Sequence, residues 1–155
     1  MFKIDSNLEE VKKTLTTKLE NAIQFDKVLR EVCLDAIVLI SHRVQQDGKK
    51  SDGSKITTTS KKRFGAYSYQ YGKKRASKGL QTKIIDQTFT GDMLGDFTLA
   101  PEGEKSYVIG FRGKTASDKA EWNERRFGKI YQLSKDESKL IQDIIRKRIN
   151  AILNK

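Results

Sequence analysis

Apolar residues recur at helical spacing through the first third of the chain. Leu8, Val11, Leu15, Leu19, Ala22 and Ile23 form one stripe. Phe25, Val28, Leu29, Val32, Cys33, Ala36, Ile37, Ile40 and Val44 form a second. Neither Gly nor Pro interrupts residues 6–46, so one long helix is predicted there, with a jog near Gln24–Asp26 where the stripe changes face. Ser6-Asn7-Leu8-Glu9 has capping-box form, and Asp47-Gly48 supplies a stop.

The apolar periodicity then disappears. Residues 47–79 are polar, basic and glycine-bearing, with a Thr57-Thr58-Thr59-Ser60 run, and they predict a loop or extended arm. Tyr67, Tyr69 and Tyr71 alternate within it, and an extended backbone would put all three rings on one side. From Leu80 the pattern turns to short β segments. A strand is predicted over Leu80–Phe89, around Ile84-Ile85, and a turn or single helical turn at Thr90–Gly95. A hairpin is predicted over 96–111, built on Phe97, Leu99, Tyr107, Ile109 and Phe111 about the turn Pro101-Glu102-Gly103-Glu104. Gly113–Ser117 reads as a loop, after which Ser117 or Asp118 caps a short helix through Arg126. Ser134 and Glu137 form a second capping box ahead of the stripe Leu140, Ile141, Ile144, Ile145, Ile149, Ile152 and Leu153. The expected fold is α+β, a single domain over 1–155. It has a long N-terminal helix, a basic arm, a small antiparallel sheet with a hairpin, a short helix and a C-terminal amphipathic helix packed on the sheet.

Charge sharpens the picture. The chain has 155 residues and a net charge of +11. Between Asp47 and Lys83 lie eleven Lys or Arg against two Asp, a local net charge of +9. The hydrophobic fraction of 36% makes a modest core, which suits a chain that gains order from a partner. Cys33 is the single cysteine, so no intramolecular disulfide forms, and a reducing compartment is expected. Nothing approaches a twenty-residue apolar run, and Met1–Asp5 lacks a signal peptide's apolar stretch. A soluble protein made in a cytoplasm is expected, with no membrane contact.

Catalytic chemistry has few candidates. His42 is the sole histidine and reads as a structural or surface residue, and Cys33 reads as an inert thiol in an apolar stripe. There is no Cys/His cluster and no phosphate-binding glycine motif. Asp86, Asp92 and Asp96 would hold a cation only if the Gly91 turn gathered them, and turn formation and capping are the simpler roles. No enzyme, cofactor or metal site is expected.

The basic stretch admits three readings. Its cations neutralise phosphates while the tyrosines stack on unpaired bases; or it docks on protein subunits; or it is a solvated loop. The candidate contact residues are Lys49, Lys50, Lys55, Lys61, Lys62, Arg63, Phe64, Tyr67, Tyr69, Tyr71, Lys73, Lys74, Arg75 and Lys78. A second candidate contact point is Trp122 with Arg125 and Arg126, where a helix end packing on the sheet is the plainer alternative.

Tyr67-Ser68-Tyr69-Gln70-Tyr71, then Arg75, Gly79-Leu80-Gln81-Thr82, Asp86 and Thr90-Gly91-Asp92-Met93, resembles the middle of tailed-bacteriophage head–tail joining and tail-completion proteins. Lys119-Ala120-Glu121-Trp122, Arg125-Arg126-Phe127-Gly128 and Leu133-Ser134 continue the resemblance, which spans roughly residues 64–153. The chain departs from that pattern at Trp122-Asn123, where the family often has His and Gly, and at Lys129-Ile130, where it often has Arg-Pro. The resemblance implies a non-enzymatic virion protein of the phage neck. Such proteins form rings, commonly hexamers, between the capsid connector and the tail, and DNA passes through them. It implies neighbouring head-connector and tail proteins as partners. On this reading, deleting residues 49–78 is expected to leave a folded domain that no longer joins heads to tails.

Overall fold

The computed structural model describes residues 8–103 and 106–153. The Ser6-Asn7 cap and the Met1–Asp5 segment lie outside the described residues, as do Glu104 and the side chains of the Leu8–Ile23 stripe. The chain is α+β, with five helices and two small antiparallel sheets among the described residues.

Helix α1 runs without a break over Leu8–His42, 35 residues and about 52 Å. The expected jog near Gln24–Asp26 is absent. The irregularity falls instead at Arg43–Asp47, a π-helical turn stopped by Gly48 at φ 60°. A side chain at Gly48 would meet Ile84 Cβ at 2.9 Å, so both the backbone conformation and the close approach call for glycine.

Residues 47–79 do not form an extended arm. Lys49 pairs with Lys55 in a short bridge, and Ser51 donates to Lys129 O through both its N–H and its hydroxyl at 3.0 Å. Strands β1 (Arg63–Phe64) and β2 (Tyr67–Ser68) make a tight hairpin about Gly65-Ala66. Helix α2 covers Tyr69–Ala76, with Lys73, Lys74 and Arg75 in its last turn, where the dipole favours cations. Composition suggested too little apolar material for folding here. Three residues suffice, because Ile56 and Tyr67, together with Ile85 beyond the segment, enter a core that α1 already supplies with Ile40 and Val44.

The strand expected around Ile84-Ile85 is irregular backbone instead. Side chains satisfy its amides: Gln81 Oε1 accepts from Lys83 N at 2.8 Å and Ile84 N at 3.1 Å, and Tyr67 Oη accepts from Asp86 N at 3.1 Å. Local side-chain bonds of this kind replace a strand ladder.

Helix α3 is the single turn Asp92–Gly95. The second hairpin is as expected, with β3 (Phe97–Pro101) paired to β4 (Tyr107–Phe111) in the register Phe97↔Phe111, Leu99↔Ile109 and Pro101↔Tyr107. Helix α4 covers Lys114–Phe127 and starts ahead of the expected Ser117 or Asp118. Asp96 Oδ2 accepts from Gly113 N at 2.5 Å and anchors the loop entering α4. Helix α5, Lys135–Leu153, opens on the expected capping box: Ser134 N donates to Glu137 Oε2 at 2.7 Å, and Glu137 N donates to Ser134 Oγ at 3.2 Å.

Helix α5 lies antiparallel along α1 rather than across the hairpin. Arg43 meets Glu137 at 2.9 Å near one end, and Arg148 meets Asp35 at 2.7 Å nearer the other. Ile141 packs among Val28, Val32 and Ala36. Ile109 and Leu133 touch both this cluster and the one around Val44, so one continuous core results.

Candidate functional site: a cationic module and its cleft

The charge-rich stretch is fixed to the body by a buried network. Arg75 is 1% exposed. Its Nη2 donates to Asp86 Oδ1 at 3.0 Å and Oδ2 at 2.8 Å, its Nε donates to Gln81 O at 2.9 Å, and its Nη1 donates to Thr88 O. Tyr67 donates its hydroxyl to Asp86 Oδ1 at 2.9 Å. Its ring lies 4.5 Å from the Arg75 guanidinium carbon. Burial pushes the Tyr67 hydroxyl well above its ordinary pKa, and the neighbouring Asp86 charge adds to the rise. Tyr67 and Arg75, both candidates for partner contact, are therefore internal structural residues.

The remaining cations divide by what they touch. Arg63 donates to Ser60 O at 2.9 Å and Thr58 O at 3.0 Å, which shapes the loop before β1. Lys62 and Lys73 lie over the Tyr69 ring at 4.7 and 4.9 Å. Lys74 and Lys78 lie over Phe89 at 5.5 and 5.6 Å. Lys49 meets Asp47 at 3.5 Å and Lys50 meets Asp52 at 3.7 Å. Lys55 and Lys61 are exposed. The three tyrosines do not share one side, because the chain passes from strand to helix between them. Tyr67 points inward and packs on Tyr71 at 5.3 Å, while Tyr69 packs edge-on against Phe64 at 6.3 Å.

Two regions that are distant in sequence meet at a cleft of about 580 Å³. One wall carries Tyr71, Arg75, Gln87 and Phe89; the other carries Lys119, Trp122 and Arg126 on α4. Trp122 is 57% exposed, with the Arg126 guanidinium 5.3 Å from its ring. Arg125 points elsewhere and pairs with Glu121 at 2.5 Å. Gln87 holds φ 55°, the one positive φ at a non-glycine among the described residues, and its amide nitrogen is buried without an acceptor. Periodicity carries no signal for Gln87 or Lys119. Phe89 closes the stretch expected as a strand.

Other candidates separate. Asp86 serves Arg75, Asp96 holds Gly113, and Asp92 is exposed at the start of α3. Among the described residues no group of three His, Cys, Asp or Glu is placed to hold a metal ion. His42 is exposed in the last turn of α1. Cys33 is half-buried, and desolvation raises its thiol pKa. No described helix is long and apolar enough to cross a membrane.

No family model, curated protein or solved structure matches the chain.

Proposed function

We propose that the chain is a structural subunit of a tailed-phage neck, a tail-completion or head–tail connector protein. It assembles as a ring between the capsid connector and the tail, and its cationic module docks on neighbouring subunits. The observation that carries this reading is the Tyr67–Arg75–Asp86 network. These motif residues, on which the resemblance rests, are the ones that lock the basic stretch onto the body. They create a rigid cationic face rather than a chemical site. Exposed apolar side chains support the same reading: Leu34 and Val38 lie one turn apart on an open face of α1, and Trp122 and Leu140 are exposed on α4 and α5.

The alternative is a basic nucleic-acid-binding module, including contact with DNA in the ring's channel. Stacking on bases needs open ring faces. Here Tyr69, Phe89 and Trp122 each carry the protein's own cations, which favours protein partners.

The test is complementation of a phage lacking this chain with the variant Lys61→Glu, Lys62→Glu, Lys73→Glu. These side chains are exposed, so the variant replaces no buried side chain. Heads and tails that fail to join support the role. Normal yields of infectious particles contradict it.

A further inference from the structure

The cleft between α2 and α4 combines several features of a site awaiting a ligand. It is lined by no carboxylate. Lys119 and Arg126 have no ion-pair partner among the described residues. Gln87 is held in a left-handed backbone conformation. Such conformations persist where the surrounding structure imposes them, often at ligand-binding positions. Its volume falls in the range of roughly 300–1,000 Å³ typical of specific binding sites. Trp122 and Tyr71 at the rim are the residue types that anchor protein interfaces.

A chemically matching group sits at the far end of the same chain. The β3–β4 turn exposes Pro101 and Glu102, and the sequence from 101 to 106 carries two glutamates against one lysine. Ser106 Oγ donates to Glu102 O at 3.0 Å, which shapes the turn. Turn and cleft lie at opposite ends of the hairpin. Phe97 and Phe111 pack on Tyr131, whose hydroxyl lies 3.9 Å from Sδ of the cleft residue Met93. The Pro101↔Tyr107 end lies instead beside α1, where Tyr107 donates to Asp26 at 2.9 Å. Four residue steps of strand separate the two ends by about 14 Å. A complementary pair at opposite ends cannot close on itself. It joins copies head to tail, the geometry that generates rings.

We infer that the cleft receives the β3–β4 turn of a second copy of this chain. Glu102 meets Lys119 and Arg126, and Pro101 rests against Trp122. The inference rests on the ring reading and names its subunit contact.

The test is sedimentation equilibrium of the full chain at about 50 mM salt, where exposed charge pairs are least screened. Glu102→Lys and the pair Lys119→Glu/Arg126→Glu are each expected to weaken self-association about tenfold or more, and the triple variant to restore it to within about threefold. Far-ultraviolet circular dichroism checks that each variant is folded. A triple variant no better than its parents overturns the pairing, as does association indifferent to Glu102→Lys. Weakening by the cleft variant alone also overturns it, and points to a different acidic partner. A wild-type chain that stays monomeric at every concentration reached overturns the inference, while the neck reading is judged separately by particle assembly.

Discussion

Arg75 and Asp86 form a bidentate contact through one guanidinium nitrogen, 2.8 and 3.0 Å from the two carboxylate oxygens, and both residues are buried. Replacing one partner leaves the other charge buried alone. Arg75→Met is therefore expected to cost about 3–5 kcal/mol, measured by urea unfolding at neutral pH. The double variant Arg75→Met/Asp86→Asn is expected to cost less than that single change, because no uncompensated carboxylate remains. Equal stability of wild type and Arg75→Met would remove the network from its central place.

Deleting residues 49–78 is now expected to unfold the domain. The deletion removes Ile56 and Tyr67 from the core and strands Asp86 without Arg75. Loss of cooperative thermal unfolding is the predicted result, in contrast to the intact remainder that an independent arm would leave behind.

Stability should fall in alkali. Tyr67 and Tyr131 both have hydroxyl pKa values raised by burial above the ordinary value near 10. The unfolded chain loses these protons first. Their stabilisation is therefore complete below about pH 10 and is lost as the pH climbs toward the folded-state values. Tyr131→Phe keeps the ring and removes one titrating group, so its stability should decline less steeply between about pH 9.5 and 11. Urea midpoints across that range supply the measurement, and parallel profiles for the two proteins would contradict the assignment.

Single-stranded DNA should bind weakly and without sequence preference. Fluorescence anisotropy is expected to show binding at low salt that becomes negligible by about 150 mM. Tight binding that persists there, with a salt slope reflecting several phosphate contacts, would favour the nucleic-acid module.

The regular elements were legible because their signals are local. The α1 stripe, the 96–111 hairpin and the Ser134–Glu137 capping box each depend on spacing within a few residues. The state of residues 47–79 was not legible, because its order comes from contacts distant in sequence. Arg43, for example, donates to Lys49 O, Ile130 O and Gln132 O and so ties the start of this stretch to the 129–133 loop. Arg75 counted as one cation among eleven, although its composition could not reveal that Asp86, Gln81 and Thr88 enclose it. The alternating tyrosines would share one side on an extended backbone, but Gly72 lets α2 sit against Phe64, where any added Cβ would meet the carbonyl oxygen at 2.6 Å. The cleft was invisible for the same reason: at least thirty residues separate its two walls, from Phe89 to Lys119, and Gln87 belongs to no pattern.

The central claim is that a cationic module, folded onto its own body, serves as a contact face within a phage neck. Cryo-electron microscopy of virions encoding this chain tests it most directly. The predicted result is a ring of copies between head and tail, with residues 61–78 against a neighbouring subunit. Particles that contain no such ring, or a ring whose 61–78 face meets only solvent, would contradict it.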